Sequence, residues 1–111
     1  MLEVVSDAVG RMREAGTDLA DVEAKRAEGG FPSNKIESVC AFANTAGGLL
    51  LLGIDETTGF GPVEVDAAAL ASDLASQAPQ RIQPPIRPTM EIVQFGGRSI
   101  VAAAVEELPR T

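Results

Sequence analysis

Histidine, tryptophan and tyrosine are absent from this 111-residue chain, cysteine occurs once and phenylalanine four times. Without His, the usual neutral-pH general base, the imidazole metal ligand and every His-dependent triad are excluded. Four Phe with no Trp or Tyr leave little from which to build a base-stacking platform. The single cysteine, Cys40, excludes an internal disulfide framework and a multi-cysteine zinc site. Bases are scarce as well: nine Lys and Arg against 16 Asp and Glu give a net charge of -7. That balance excludes the uniformly basic surface of a protein that coats nucleic acid non-specifically. No apolar stretch approaches bilayer length, and the opening MLEVVSDAVGRMREAG carries acids and a helical period in place of a signal core. The expectation is a cytoplasmic protein with no membrane partner.

With 45% hydrophobic and 23% charged residues, what remains is the composition of one globular domain with one core, residues 1–111. Leu2, Val5, Val9 and Met12 form one stripe of an amphipathic helix over 2–15, which Gly16 ends. ADVEAKR, residues 20–26, alternates as a half-buried strand does, with Glu23 and Lys25 sharing a face. Asn34 and Glu37 resemble a capping box opening a second helix, whose stripe is Ile36, Val39, Cys40 and Ala43. On that stripe Cys40 reads as a small buried hydrophobe. Gly47 and Gly48 stop this helix, and LLLLGI, residues 49–54, reads as a central strand buried on both faces.

A turn over 55–62 and a brief strand over 62–65 follow. Asp66 then caps a third helix running to about residue 78. PQRIQPPIRP is extended, because each proline removes a backbone donor. MEIVQF and RSIVAAAVE flank Gly96-Gly97 as a β-hairpin. The predicted architecture is α/β (mixed α+β): a small mixed sheet covered by helices, with the first two strands parallel and the hairpin extending the sheet.

The run CAFANTAGGLLLLGIDE, residues 40–56, resembles the signature of the Schlafen AlbA-type domain, also described as a divergent AAA-associated DNA-binding family. The family's upstream E-x4-E-F-K pattern is met by Asp18, Glu23, Ala24 and Lys25, with Asp for Glu and Ala for Phe. The Ile-Gln-Pro-Pro segment and the closing hairpin are similar too, so the resemblance covers roughly residues 18–106, with residues 1–16 as an added N-terminal helix. It implies an Alba-like β-α-β-α-β-β core, a nucleic-acid partner (DNA or RNA) and a homodimer. It also implies a place at the front of a longer bacterial regulator or ATP-binding protein, and the ending ELPRT suits such a continuation. In some family members three acids form a Mg²⁺- or Mn²⁺-dependent endoribonuclease site. Carried over, these fall on Asp18, Glu23 and Asp55, with Glu56 as a substitute for Asp55.

Hard-oxygen ligands of this type can hold such ions and activate water for phosphodiester cleavage. Five residues of extended strand from Asp18 to Glu23 span about 16 Å, so the chain between Gly16 and Asp21 must curl back if both are to reach one ion. Otherwise Asp18 is a turn residue, Glu23 pairs with Lys25 or Arg26, and Asp55 ends a strand. Asn44, Thr45 and the glycines that follow have fold roles at a helix end, the alternative being ligand contact. Neither Gly47-Gly48 nor Gly59-x-Gly61 has the context of a nucleotide-binding loop. Lys25, Arg81, Arg87 and Arg98 are the candidate phosphate contacts, and with so few bases any binding is expected to be weak and salt-sensitive. Three readings stay open: nucleic-acid binder, endoribonuclease, and interaction module that dimerises without nucleic acid.

Overall fold

The computed structural model describes residues 1–31 and 35–109. The Asn34 end of the expected capping box lies outside the described residues. Helix α1 spans Leu2–Ala15 and turns Val5, Ala8, Val9 and Met12 inward, each large side chain contributing roughly 1.5–3 kcal/mol by its burial. Gly16 ends it in the left-handed region, φ 75°, its N–H donating to the Met12 carbonyl at 2.8 Å.

Strand β1 is Val22–Lys25, shorter than the alternating pattern predicts. Leu19 and Val22 exchange backbone hydrogen bonds of 3.0 and 3.4 Å, so Ala20 and Asp21 belong to a turn that folds the preceding chain back along β1. Helix α2 (Lys35–Ala43) leads to β2 (Gly48–Leu52). The single strand predicted for 49–54 breaks at Gly53, whose φ of 105° suits a residue without Cβ. Beyond it, β3 (Ile54–Asp55) pairs with β4 (Gly61–Pro62) in a separate small ladder, with a 3-10 turn over Glu56–Thr58 between them. The β4 pairing falls earlier than the predicted 62–65. Helix α3 covers Ala67–Arg81, with the Asp66 carboxylate accepting from the Ala69 N–H at 3.1 Å. It runs past the predicted end near 78 and takes Pro79 into its last turn.

Strands β5 (Thr89–Phe95) and β6 (Arg98–Val105) form the hairpin. Both turn glycines have positive φ, 58° and 82°, the geometry of a type I′ turn. The main sheet has the order β1-β2-β6-β5, with β1 and β2 parallel and the other neighbours antiparallel. This is the mixed sheet the sequence predicts.

Successive leucines of β2 serve opposite faces. Leu49 and Leu51 join Val22, Ala24, Ile100 and Ala102 against α1. Leu50 and Leu52 join Val101, Ala103 and Val105 against α2 and α3. All four are buried because both faces are covered. Among the described residues, no helix is long and apolar enough to cross a membrane.

Candidate functional site

The chain does curl back at Asp18. Strand β1 is an edge strand, so the N–H groups of Val22 and Ala24 that face away from β2 need partners. Val22 finds the Leu19 carbonyl and Ala24 finds the Asp18 carboxylate, at 3.1 Å. Loss of hydration on partial burial pushes the Asp18 carboxyl above its ordinary range. The Ala24 N–H opposes this, the negative charges of Glu56 and Glu23 add to it, and Lys25 pulls the other way. Asp18, Glu23 and Glu56 therefore share one electrostatic neighbourhood.

Asp55 is held by other partners. It is buried, 5% exposed, and caps the 3-10 turn. Its Oδ1 accepts from the Thr57 N–H at 2.9 Å and the Thr57 hydroxyl at 2.7 Å. Arg26 Nε lies 3.9 Å from its Oδ2, and the same guanidinium bonds Glu28 at 2.7 Å. The Thr57 hydroxyl holds the Asp55 carboxyl below its ordinary range, with the Thr57 N–H and Arg26 assisting against desolvation. The turn is also gripped from α1: Arg13 donates to the Gly59 carbonyl at 2.9 Å and the Phe60 carbonyl at 3.4 Å.

The bases divide between the two ends of the sheet. Lys25 closes β1 opposite Leu52, which faces Val101, and Arg98 opens β6 at that same end. Among the described residues, neither Lys25 nor Arg98 is ion-paired. Arg87 precedes β5 at the opposite end, a hairpin length of about 20 Å from Arg98. Arg81, the last residue of α3, is hydrogen-bonded to Gln77. The four do not form one continuous basic edge.

The AFANTAGG segment is occupied with the fold. Thr45 Oγ1 bonds the Ala41 carbonyl at 2.9 Å, and the Gly47 N–H, at φ 82°, reaches the Phe42 carbonyl at 2.8 Å. A Cβ on Gly48 would enter the Phe42 ring. Cys40 is half-buried where the stripe predicts full burial, and its sulfur accepts from Asn44 Nδ2 at 3.4 Å.

The model of the family described as Schlafen, AlbA_2 matches residues 20–111. The chain belongs to this family. The N-terminal domain of a protein from Nitrosomonas europaea, described as related to the ATP-dependent DNA helicase RecG and solved by NMR in solution, is 34% identical to it. That likeness covers 91% of this chain and 71% of the other, with a TM-score of 0.75. The DIP2311 protein of Corynebacterium diphtheriae shares the fold at a TM-score of 0.54 and 18% identity, over 95% of this chain and 26% of its own. No curated protein matches the chain.

The match leaves the whole of α1 outside it, yet α1 supplies one wall of this Schlafen AlbA_2 domain's core. The three-carboxylate metal site that the resemblance implies does not fit the residues as placed. Among the described residues, no group of three His, Cys, Asp or Glu side chains is arranged to hold a metal ion. Both acceptor interactions of Asp55 Oδ1 go to Thr57, and its neighbouring charge is Arg26 and not Asp18 or Glu23. Sequence reasoning passed over Thr57 and Arg13. The first was readable as an Asx-turn, Asp followed two residues later by a polar donor. The second had no local signal, being 46 residues from its partner.

Proposed function

We propose that this Schlafen AlbA_2 domain binds nucleic acid weakly, through the end of the sheet that carries Lys25 and Arg98, without cutting it. The observation that carries this reading is the 34% identity to an N-terminal domain of a helicase-related protein. Two bases that have no ion pair among the described residues, at one sheet end, give a local place for phosphate on a chain of net charge -7. Arg81 and Arg87 lie apart from that surface and contribute through long-range attraction at most.

A titration of labelled duplex DNA, single-stranded DNA and transfer RNA at increasing salt tests the proposal. Complex formation at low ionic strength is expected. Lys25→Ala and Arg98→Ala each weaken it several-fold and lower the salt slope by about one. With Mn²⁺ added, the RNA is expected to stay intact. No complex at low salt, or cleavage that Asp18→Ala and Glu23→Ala abolish, overturns the reading.

The open edge of β5 favours a second reading, an interaction module. Strand β5 ends the sheet, and Ile92 on it and Leu2 beside it are 44% and 50% exposed, lining a groove of about 330 Å³. Sedimentation distinguishes the two: a homodimer that forms while every nucleic acid is rejected favours the module.

A further inference from the structure

The geometry points to a role for Asp55 that differs from the metal-ligand role its place in the signature suggests: it is a structural carboxylate that knots the turn between β3 and β4, with Arg26 as its counter-ion.

Four observations carry this. Asp55 is buried where a reactive ligand would need an open coordination position, and its N-terminal neighbour Ile54 is fully buried in the core against α1. Oδ1 is doubly engaged, by the Thr57 N–H and by the Thr57 hydroxyl. The backbone carbonyl of Asp55 is engaged as well, by Thr58 Oγ1 at 3.2 Å. Oδ2 faces the Arg26 guanidinium, which is itself held by Glu28. A carboxylate can bind a hard cation only by presenting free lone pairs. Here Oδ1 is committed to two donors, and a cation approaching Oδ2 meets a fixed positive charge within 4 Å.

The knot has a reason in the chain. Between Gly53 and Pro62 the backbone leaves the main sheet and returns, and Phe60 sits at φ 60° while being 3% exposed. A non-glycine residue in that conformation persists only where its surroundings over-determine it. Asp55 holds the entry to this excursion through Thr57 and Thr58, and Arg13 holds its exit through the Gly59 and Phe60 carbonyls. Phe60 is thereby pinned into the core with Ile54 and Ala24. Asp18, which closes the edge of β1, has the charges of Glu56 and Glu23 acting on it.

The experiment is a Mn²⁺ titration of the intact chain followed by NMR, with thermal melts of Asp55→Asn and Thr57→Val. Mn²⁺ broadens the amide signals of residues close to wherever it binds. Signals of Ile54, Asp55 and Thr57 are expected to broaden no more than those of exposed acids elsewhere, such as Asp73. The same profile is expected in Asp55→Asn. Thr57→Val is expected to lower the melting temperature by about 4–8 °C, the effect of losing one hydrogen bond in a domain of this size, and Asp55→Asn is expected to lower it through the weaker acceptor Oδ1 and the lost charge opposite Arg26. Selective broadening of Ile54–Thr57 that Asp55→Asn abolishes would overturn the inference. So would melts unchanged by both substitutions, since a structural carboxylate cannot be removed silently. Neither result bears on whether Lys25 and Arg98 contact phosphate, so the binding proposal stands or falls separately.

Discussion

The Asp18 carboxylate accepts the outward-facing N–H of Ala24, six residues further along the chain, at 3.1 Å. One side chain thus closes the exposed edge of β1, and the same geometry that satisfies a backbone donor leaves a carboxylate partly desolvated, with the charges of Glu56 and Glu23 acting on it.

Two substitutions at Asp18 should therefore act in opposite directions. Asp18→Ala strands the Ala24 N–H and is expected to destabilise by about 1 kcal/mol. Asp18→Asn keeps an acceptor oxygen and removes the repulsion, so it is expected to be neutral or slightly stabilising near pH 7. Urea unfolding of the three proteins measures both; equal losses for Ala and Asn would sink the account.

Asp18 and Asp55 also shape the acid limb with opposite signs. Asp55 lies below the ordinary value of 3.8, chiefly through the Thr57 hydroxyl. Its contribution is complete above 3.8 and is lost as pH falls through its folded value. Asp18 lies above 3.8, chiefly through desolvation. There the folded state holds the proton more tightly than the unfolded chain, so stability is greatest below 3.8 and declines as pH rises through the folded value. Melts between about pH 3 and about pH 6 should lose this decline in Asp18→Asn and lose part of the acid collapse in Asp55→Asn. Superimposable profiles for all three proteins would contradict the assignment.

Two glycines give a paired test of packing. A Cβ on Gly48 collides with three carbons of the Phe42 ring, and Phe42 is itself buried. Gly48→Ala is expected to cost about 2 kcal/mol or more, a fall of roughly 10 °C. Gly10 lies inside α1 with nothing within 4 Å of such a Cβ. There Gly10→Ala should stabilise by about 0.5–1 kcal/mol. Calorimetry reads both, and a Gly48→Ala protein as stable as wild type would show that the AFANTAGG glycines serve something other than packing.

Much of the fold was legible because short-range patterns speak for themselves. The stripe of α1, the four leucines of β2 and the glycine pair between β5 and β6 each act within one turn or one strand, where side-chain period and backbone φ decide the outcome. The strand predicted over 49–54 breaks at Gly53. An apolar run shows burial, and it is silent on where the chain changes sheets. The strand predicted over 20–26 shortens to Val22–Lys25 because alternation continues through a turn as easily as through a strand.

The candidate site was legible in its residue types and illegible in their grouping. The family resemblance made Asp18, Glu23 and Asp55 one constellation; in the folded chain the charge of Glu56 acts on Asp18, and Asp55 is engaged by Thr57 and Arg26. From its amino acids alone this protein was determined to be a mixed sheet covered by helices with a Schlafen AlbA-type signature. Only the tertiary structure decided that β6 lies inside and β5 at the edge, that Asp18 closes β1, and that Arg13 reaches a turn 46 residues away. The reason is physical: hydrophobic period and turn chemistry are local, whereas the direction of a polar side chain depends on which distant donor the register brings within about 3 Å.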